Sequence, residues 1–251
     1  MVADYGPTDE LFAAVTRYLS LAAPEARILL TQVAPHDTLA AGFRVACLAL
    51  GGGPPRRVVV HDVDAPLAAE AGPRECAGWA PEDVAIVGRD TGWCWSFVAP
   101  EIRGPCYLEL PARGPRSRSP LLLVEAIVRS VSRHPHAVCG LVAPNAVPPI
   151  PPPAVAYVDA GGNLATTITR PPAQAGRPVR VRIGDTTATA VVSDGSVAVD
   201  RGALMLGPTR SGWQRRDGGP CGFLELSMPD GSAAECFHRP STGTEIVVEP
   251  D

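Results

Sequence analysis

The segment APNAVPPIPPPAV, residues 143–155, divides the sequence into two parts. Prolines this dense cannot continue a helix or a central strand, and they form a stiff, extended spacer. Strand-like and helix-like patterns alternate before the spacer, whereas only short strand-like runs follow it. The sequence therefore predicts an α/β domain over 1–142, a linker over 143–155 and a smaller all-β domain over 156–251.

Upstream of the spacer, apolar β-rich runs typical of buried strands alternate with amphipathic helical patterns. The predicted strands are ARILLTQV (26–33), RRVVVHDV (56–63) and EDVAIVG (82–88), with Trp93 and Trp95 alternating on a further strand. Helices are predicted after Thr8 as N-cap, from Asp37, and after Ser119 with Pro120 at the first helical position. This alternation predicts a mostly parallel sheet flanked by helices.

Downstream of the spacer, no helical periodicity persists. Predicted strands are separated by Gly, Asp or Pro, and they lie in VRVRIGDTTATAVVS (179–193, turning at Gly184-Asp185), SVAVD (196–200), ALMLG (203–207), GFLELSM (222–228) and TEIVVE (244–249). This pattern indicates a small antiparallel β-barrel or sandwich. PTRSGWQRRDGGP (208–220) is predicted to be a solvated loop, with Trp213 as a lid aromatic as the alternative.

The segment YVDAGGNLATTI (157–168) interrupts an extended run with an acid, two glycines and an amide. Glycines inside a strand pattern indicate a tight turn or a close approach of the backbone to another group. Two interpretations stay open. The segment is a hairpin turn, or Asp159 and Asn163 point their side chains at a ligand.

Composition excludes several classes of function. The chain has a net charge of −4, no basic cluster beyond short arginine pairs and no apolar run of transmembrane length, so we expect a cytoplasmic protein without nucleic-acid or membrane partners. It contains no lysine, which indicates a high-GC genome and excludes Schiff-base chemistry and a Walker-type phosphate site. The seven scattered cysteines predict reduced thiols.

Five segments, in order and over nearly the whole chain, resemble the S-adenosylmethionine (SAM) hydroxide adenosyltransferases. These SAM hydrolases are relatives of the SAM-dependent fluorinase and chlorinase. The segments resemble the family patterns T/S-D-x-G-x-x-D, P-x-D-V, V-G-P-D-N-G-L-L, Y-V-D-R-F-G-N-L-x-T-N-I and G-Y-L-E-I-A-x-N-G-G-S-A-A. They are ADYGPTDELFAAV (3–15), VAPHDTLAAG (33–42), IVGRDTGWCWSFV (86–98), AYVDAGGNLATTI (156–168) and GFLELSMPDGSAAE (222–235).

The resemblance implies a ligand role for four residues. Asp4 matches the acid that accepts hydrogen bonds from both ribose hydroxyls, and Asn163 matches the amide that binds the adenine edge. Asp9 and Asp159 match acids near the methionine amino group. The resemblance also implies a homotrimer in which a small-molecule ligand lies at the subunit interface.

The sequence departs from the family pattern at the positions of the catalytic residues. Asp64 matches the acid of the water-activating set and Arg74 its arginine, but the family histidine falls on Arg116, which stays protonated and cannot act as a base. Ser117 and Arg118 match the serine–arginine pair of the fluorinase.

The binding residues of the family are partly lost as well. The adenine-stacking aromatic is Gly161, a tryptophan of the halogenases is Ala165, and the carboxylate clamp is Pro220-Cys221. A lost stacking ring costs about 1–3 kcal/mol per base.

His36 completes the candidate site. It lies at the start of the second predicted helix, where it could act as base or donor; a surface or capping role is the alternative. No metal site is expected, because His61 and Asp62 face opposite sides of a strand.

Three functions stay open. The first is a small-molecule enzyme of secondary metabolism, repurposed for a cyclisation or rearrangement. The second is a SAM-cleaving enzyme acting at C5′ of the ribose. The third is a non-catalytic binding protein. No cofactor is required; SAM enters as a substrate or stays as a vestigial ligand.

Overall fold

The computed structural model describes residues 1–54, 57–64, 74–110, 119–132, 138–197, 199–209, 213 and 222–251. It is a mixed α/β structure with two seven-stranded sheets. The chain divides into two compact units, the first formed by Met1–Pro149 with Trp213–Gly219 and the second by Ile150–Gly212 with Pro220–Asp251. The division after Pro149 falls inside the proline-rich segment 143–155.

The described residues of the first unit form seven strands and three helices. The strands are β1 (Val2–Ala3), β2 (Thr31–Gln32), β3 (Val58–Asp62), β4 (Glu75–Ala80), β5 (Val84–Arg89), β6 (Arg103–Leu108) and β7 (Val138–Leu141). The helices are α1 (Glu10–Ala22), α2 (Thr38–Leu50) and α3 (Pro120–Val131). Val15 of α1 and Leu123 of α3 pack with Val60 and Val87 of the sheet in one apolar cluster.

The first sheet is only partly parallel, which corrects the prediction of a mostly parallel sheet. Its strand order is β2-β1-β3-β5-β4-β6-β7. The first four strands run parallel, whereas β4, β6 and β7 pair antiparallel. A short turn at Pro81–Asp83 joins β4 to β5, and a connection this short allows only antiparallel pairing.

Local capping rules place the three helices of the first unit. Ser119 caps α3 with Pro120 at the first helical position, as predicted, and α2, which was predicted to start at Asp37, starts at Thr38 with Asp37 as its N-cap. The N-cap of α1 is Asp9 and not Thr8, because the Asp9 carboxylate accepts the backbone N–H of Leu11 at 3.0 Å. Aspartate is a stronger N-cap than threonine, which accounts for the one-residue shift.

Three further predictions for the first unit are wrong. The buried strand expected over 26–33 is reduced to the edge strand β2, with Leu29 81% exposed. Trp93 and Trp95 lie in a turn rather than on a strand; Trp95 is buried and Trp93 is 37% exposed. Trp213 is buried against Phe43 and Phe97 and is not solvated, whereas residues 210–212 and 214–220 of the predicted loop lie outside the described part of the chain.

The described residues of the second unit form seven strands and the short helix α4 (Ala233–Cys236). The strands are β8 (Val155–Val158), β9 (Leu164–Thr166), β10 (Pro178–Ile183), β11 (Thr186–Val192), β12 (Leu204–Pro208), β13 (Leu224–Ser227) and β14 (Ile246–Pro250). Their order is β14-β10-β11-β12-β13-β9-β8, and every pair is antiparallel except β11 with β12.

Pairing in the second sheet agrees with most of the predicted strands. The hairpin of β10 and β11 turns at Gly184-Asp185 as predicted, and Val179, Val181 and Ile183 alternate into the core. An isolated bridge between Ala154 and Glu245 links residues beside the two edge strands, so the sheet curls toward itself. The strand expected over 196–200 is not formed by the described residues of that stretch.

Candidate functional site

Three strand ends of the first unit meet at the carboxylate of Asp4, which directly follows β1. Its Oδ2 atom accepts the backbone N–H of His36 at 3.2 Å and that of Asp64 at 3.4 Å. His36 follows β2 and Asp64 follows β3, and both strands lie beside β1 in parallel pairing. Ligands of open α/β sheets bind at the carboxyl ends of the parallel strands, so this edge is the candidate site.

Neighbouring polar side chains form hydrogen bonds between the loops at the same edge of the sheet. The hydroxyl of Tyr5 donates to Oδ2 of Asp62 at 2.7 Å, and both residues are buried. The hydroxyl of Thr91, which follows β5, donates to the carbonyl oxygen of Val63 at 2.9 Å. These bonds tie the loops after β1, β3 and β5 together, so the acids of this edge are held by a rigid frame.

Asp64 is half-exposed and forms an ion pair with a buried arginine. Nη1 of Arg89 donates to Oδ1 of Asp64 at 2.6 Å, and the exposed fractions of the two side chains are 8% and 37%. Arg89 ends β5 and was not among the residues that the sequence singled out. Its contact with Asp64 follows from the parallel pairing of β3 with β5.

Glu75 lies on the other side of Arg89. Its Oε1 atom is 4.0 Å from Nε of Arg89, and the two residues are direct partners in the register of β4 and β5. The Oε2 atom is buried and has no hydrogen-bond partner among the described residues. Burial raises the pKa of Glu75 to about 7, against the opposing effect of Arg89, so this carboxyl group titrates near neutral pH.

His61 is fully buried, a property that the sequence did not reveal. Neither ring nitrogen has a hydrogen-bond partner within the described part of the chain. The ring contacts Trp95 edge to face, with the centroids 5.3 Å apart. Burial, with a smaller effect of the Arg89 charge, lowers the pKa of His61 to about 3. The imidazole is therefore neutral under all ordinary conditions.

His36 and Asp9 lie at the surface, unlike the acids Asp62 and Glu75. His36 is exposed, with a left-handed backbone (φ 62°), and it contacts Asp4 through its backbone N–H. Asp9 is exposed as the N-cap of α1. His36, the predicted base, and Asp9, the acid predicted to bind the amino group of SAM, are thus both accessible to solvent.

In the second unit, Asp159 and Asn163 bind each other across a tight turn. Oδ1 of Asp159 accepts the backbone N–H of Asn163 at 2.9 Å, and Oδ2 accepts its side-chain amide at 2.8 Å. Gly162 adopts φ 78°, and its carbonyl oxygen accepts the N–H of Ala234 in α4. The hairpin-turn interpretation describes this geometry, in which both carboxylate oxygens hold the turn.

Several predicted residues lie outside the described part of the chain. These are Arg116, Ser117 and Arg118 of the predicted catalytic segment and Pro220-Cys221 of the lost clamp. Among the described residues, no group of three or more His, Cys, Asp or Glu side chains is arranged to hold a metal ion. A helix with the length and apolarity needed to span a bilayer is likewise not found in the described ranges.

Comparisons with known proteins extend the description of the fold alone. No protein-family model matches the sequence, and no curated protein matches it. The structure is similar to an uncharacterized conserved protein from Thermotoga maritima, with a TM-score of 0.73, 22% identity, and coverage of 99% of this chain and 98% of that one.

A conserved hypothetical protein from Thermus thermophilus is similar as well, with a TM-score of 0.69 and 22% identity. Coverage is 98% of this chain and 97% of that one. The chain therefore shares its fold, over nearly its whole length, with bacterial proteins of comparable size.

Proposed function

We propose that this protein is a divergent relative of the SAM hydroxide adenosyltransferases that binds a hydroxyl-bearing small molecule at the carboxyl edge of its first sheet. The orientation of Asp4 is the observation that supports this most directly. Two backbone N–H groups, from His36 and Asp64, hold one oxygen of its carboxylate. A carboxylate fixed in this way is suited to accept hydrogen bonds from paired hydroxyl groups of a ligand.

The chemistry that this edge favours is proton transfer on a repurposed substrate, of the cyclisation or rearrangement type. His36 is exposed beside Asp4 and offers an imidazole for general acid–base catalysis. Oδ1 of Asp64 is occupied by Arg89, which disfavours activation of a water molecule by that oxygen. The family roles of Arg116, Ser117 and Arg118, and the ligand roles of Asp159 and Asn163, stay predictions from the sequence resemblance.

SAM cleavage at C5′ of the ribose is the second candidate function. It is favoured by the adjacency of Asp4 and Asp64, because the resemblance assigns the ribose contact to the first and activation of the attacking water to the second. The finer architecture belongs to the same proposal: a homotrimer, with the second sheet curled into a barrel. The bridge between Ala154 and Glu245 supports the barrel.

Incubation with SAM, with and without chloride or fluoride, tests these functions when adenosine, halo-adenosine and methionine are measured by mass spectrometry. Thermal-shift measurements with SAM and adenosine accompany it. We expect a shift with adenosine and no cleavage product, and we expect Asp4→Ala to abolish the shift. Asp37→Ala removes the carboxylate that caps α2 and serves as the matched control.

Each outcome separates the candidates. Product formed by the wild type and lost in Asp64→Asn would establish SAM cleavage in place of the repurposed chemistry. If neither ligand shifts the melting temperature and no product forms, the family assignment of the ligand is wrong. A shift that persists in Asp4→Ala would show that the ligand binds elsewhere. Light scattering of the purified protein determines whether it is a trimer.

A further inference from the structure

Arg89 is a buried cation at the carboxyl end of β5, with 6% of its surface exposed. Its guanidinium binds Asp64 through Nη1 at 2.6 Å and lies 4.0 Å from Glu75 through Nε. Its backbone carbonyl oxygen accepts the indole N–H of Trp95 at 3.1 Å. The arginine is thus anchored through its main chain while its side chain is placed between two carboxyl groups.

The arginine at this position departs from the family pattern that the sequence resembles. In the segment IVGRDTG (86–92), arginine stands where the family pattern V-G-P-D-N-G has proline. Proline has neither a charge nor a side-chain donor, so it cannot hold an acid at the end of the neighbouring strand β3. Arg89 therefore adds a contact to Asp64 that the resemblance does not imply.

Two carboxyl groups, those of Asp64 and Glu75, lie against the Arg89 guanidinium. Asp62 and Asp90 add negative charge near Glu75, and Arg74 offsets part of the Asp90 charge. The groups that face Glu75 are Arg89, Asp62 and Asp90, with the thiol of Cys76 beside it. Since the Glu75 oxygen Oε2 has no partner among these groups, its carboxyl is the one that retains a proton.

We propose that Arg89 is a positioning residue that fixes the Asp64 carboxylate at the ligand edge, and that Glu75 controls this hold by competing for the guanidinium when it is ionised. When Glu75 is protonated, Asp64 is the one carboxylate that forms an ion pair with Arg89. When Glu75 loses its proton, two carboxylates share one arginine and the Asp64 side chain becomes less ordered. Because burial raises the pKa of Glu75 to about 7, the change falls near neutral pH. Only the ligand-binding consequence of this inference rests on the proposed function.

The first experiment needs no ligand. Three-bond couplings to the carboxyl carbon of Asp64 report its χ1 rotamer by NMR. We expect a single rotamer at pH 6 in the wild type, averaged couplings in Arg89→Met, and partial recovery in Arg89→Lys, which keeps the charge but not the planar fork. Arg129→Met is the matched control, because Arg129 pairs with Glu125 on α3. Unchanged Asp64 couplings in a folded Arg89→Met would overturn the inference.

The second variant keeps the volume of the site. Glu75→Gln stays neutral at every pH, so we expect its Asp64 couplings to be the same at pH 6 and pH 8.5, whereas those of the wild type become averaged at pH 8.5. Glu125→Gln should behave as the wild type does. A wild type with equally ordered Asp64 at both pH values would remove the role assigned to Glu75.

The third experiment reads the consequence for binding, with adenosine as the probe in calorimetry. We expect the affinity of the wild type to fall about tenfold from pH 6 to pH 8.5, as weakening of one charged hydrogen bond predicts, and that of Glu75→Gln to stay constant. If no variant binds adenosine at either pH, the proposed ligand class is wrong, while the coupling measurements still decide whether Arg89 positions Asp64.

Discussion

The imidazole ring of His61 lies over the backbone of Gly88, its register partner on the neighbouring parallel strand. A Cβ atom added at Gly88 would overlap three atoms of that ring. Glycine is required here for packing and not for its backbone conformation, since no positive φ occurs at this residue. The fully buried ring thus occupies the space that a side chain on β5 would take.

Gly88→Ala should destabilise the first unit by about 1–3 kcal/mol, the usual cost of overpacking a core. All four tryptophans, at 79, 93, 95 and 213, belong to this unit, so urea unfolding followed by tryptophan fluorescence reports its stability. Gly6→Ala is the control, because its nearest neighbour would be an ordinary contact with Gln32. Equal stability of the two variants would contradict the packing of His61 on Gly88.

The pH dependence of stability tests the burial of His61. Its pKa is lowered from 6.5 to about 3 on folding, so the unfolded chain binds a proton below pH 6.5 that the folded chain does not bind. The contribution of neutral His61 to stability is therefore fully present above pH 6.5 and is lost as the pH falls toward 3, by about 1.4 kcal/mol per pH unit. His61→Leu should remove this contribution from the urea-unfolding profile of the wild type.

A matched histidine makes the comparison specific. His36 belongs to the same unit but is exposed, and asparagine tolerates its left-handed backbone. His36→Asn should therefore keep the acid sensitivity of the wild type. If His61→Leu and the wild type lose stability in parallel between pH 6 and pH 4, the imidazole is not buried in the way described.

Gly162 is a second glycine with a demanding neighbour. It has φ 78°, and an added Cβ would overlap the hydroxyl of Ser232, which caps α4. Gly162→Ala should destabilise the second unit by more than Gly184→Ala, because Gly184 has φ 56° but open space around it. The left-handed backbone alone costs about 1–2 kcal/mol, and the overlap adds to it.

Hydrogen exchange of the amides in β8 and β9, followed by mass spectrometry, measures this difference. The double variant Gly162→Ala/Ser232→Ala should recover part of the lost protection, since it removes the overlapping hydroxyl. Equal protection in Gly162→Ala and Gly184→Ala would mean that only the backbone conformation matters and that the contact with Ser232 does not.

Local rules predicted some elements well because they depend on neighbouring residues alone. Ser119 followed by Pro120 places the start of α3, and Gly184-Asp185 places a hairpin turn. Strands β4, β6 and β7 escaped prediction, because their short sequences include Gly, Pro and Cys, which weaken the β pattern. Their antiparallel pairing is what makes the first sheet mixed.

The contacts between the polar side chains of the candidate site could be predicted only in part from neighbouring residues in the sequence, for a different reason. The residues that the sequence selected, Asp4, His36 and Asp64, do come together at one edge. Arg89 and Glu75 were missed, since their contact follows from the register of β4 with β5, which no spacing in the sequence specifies. The apolar, strand-like run VAIVGR (84–89) ends in an arginine, and an arginine on a buried strand needs acids nearby; this is the signal that could have identified it.

Asp9 offers a test of the ligand that leaves the fold intact. Its carboxylate caps α1, and asparagine is an equally good N-cap. The free energy of unfolding of Asp9→Asn should therefore lie within about 0.5 kcal/mol of the wild-type value. The resemblance implies that Asp9 also faces the amino group of bound SAM. If it does, the loss of charge should lower the affinity for SAM about tenfold. The affinity for adenosine, which lacks that ammonium group, should not change. Calorimetry with both ligands measures this, and Asp37→Asn, the same change at the cap of α2, is the control. Equal weakening of SAM and adenosine would indicate a general distortion of the edge, and unchanged affinity for both would remove Asp9 from the site.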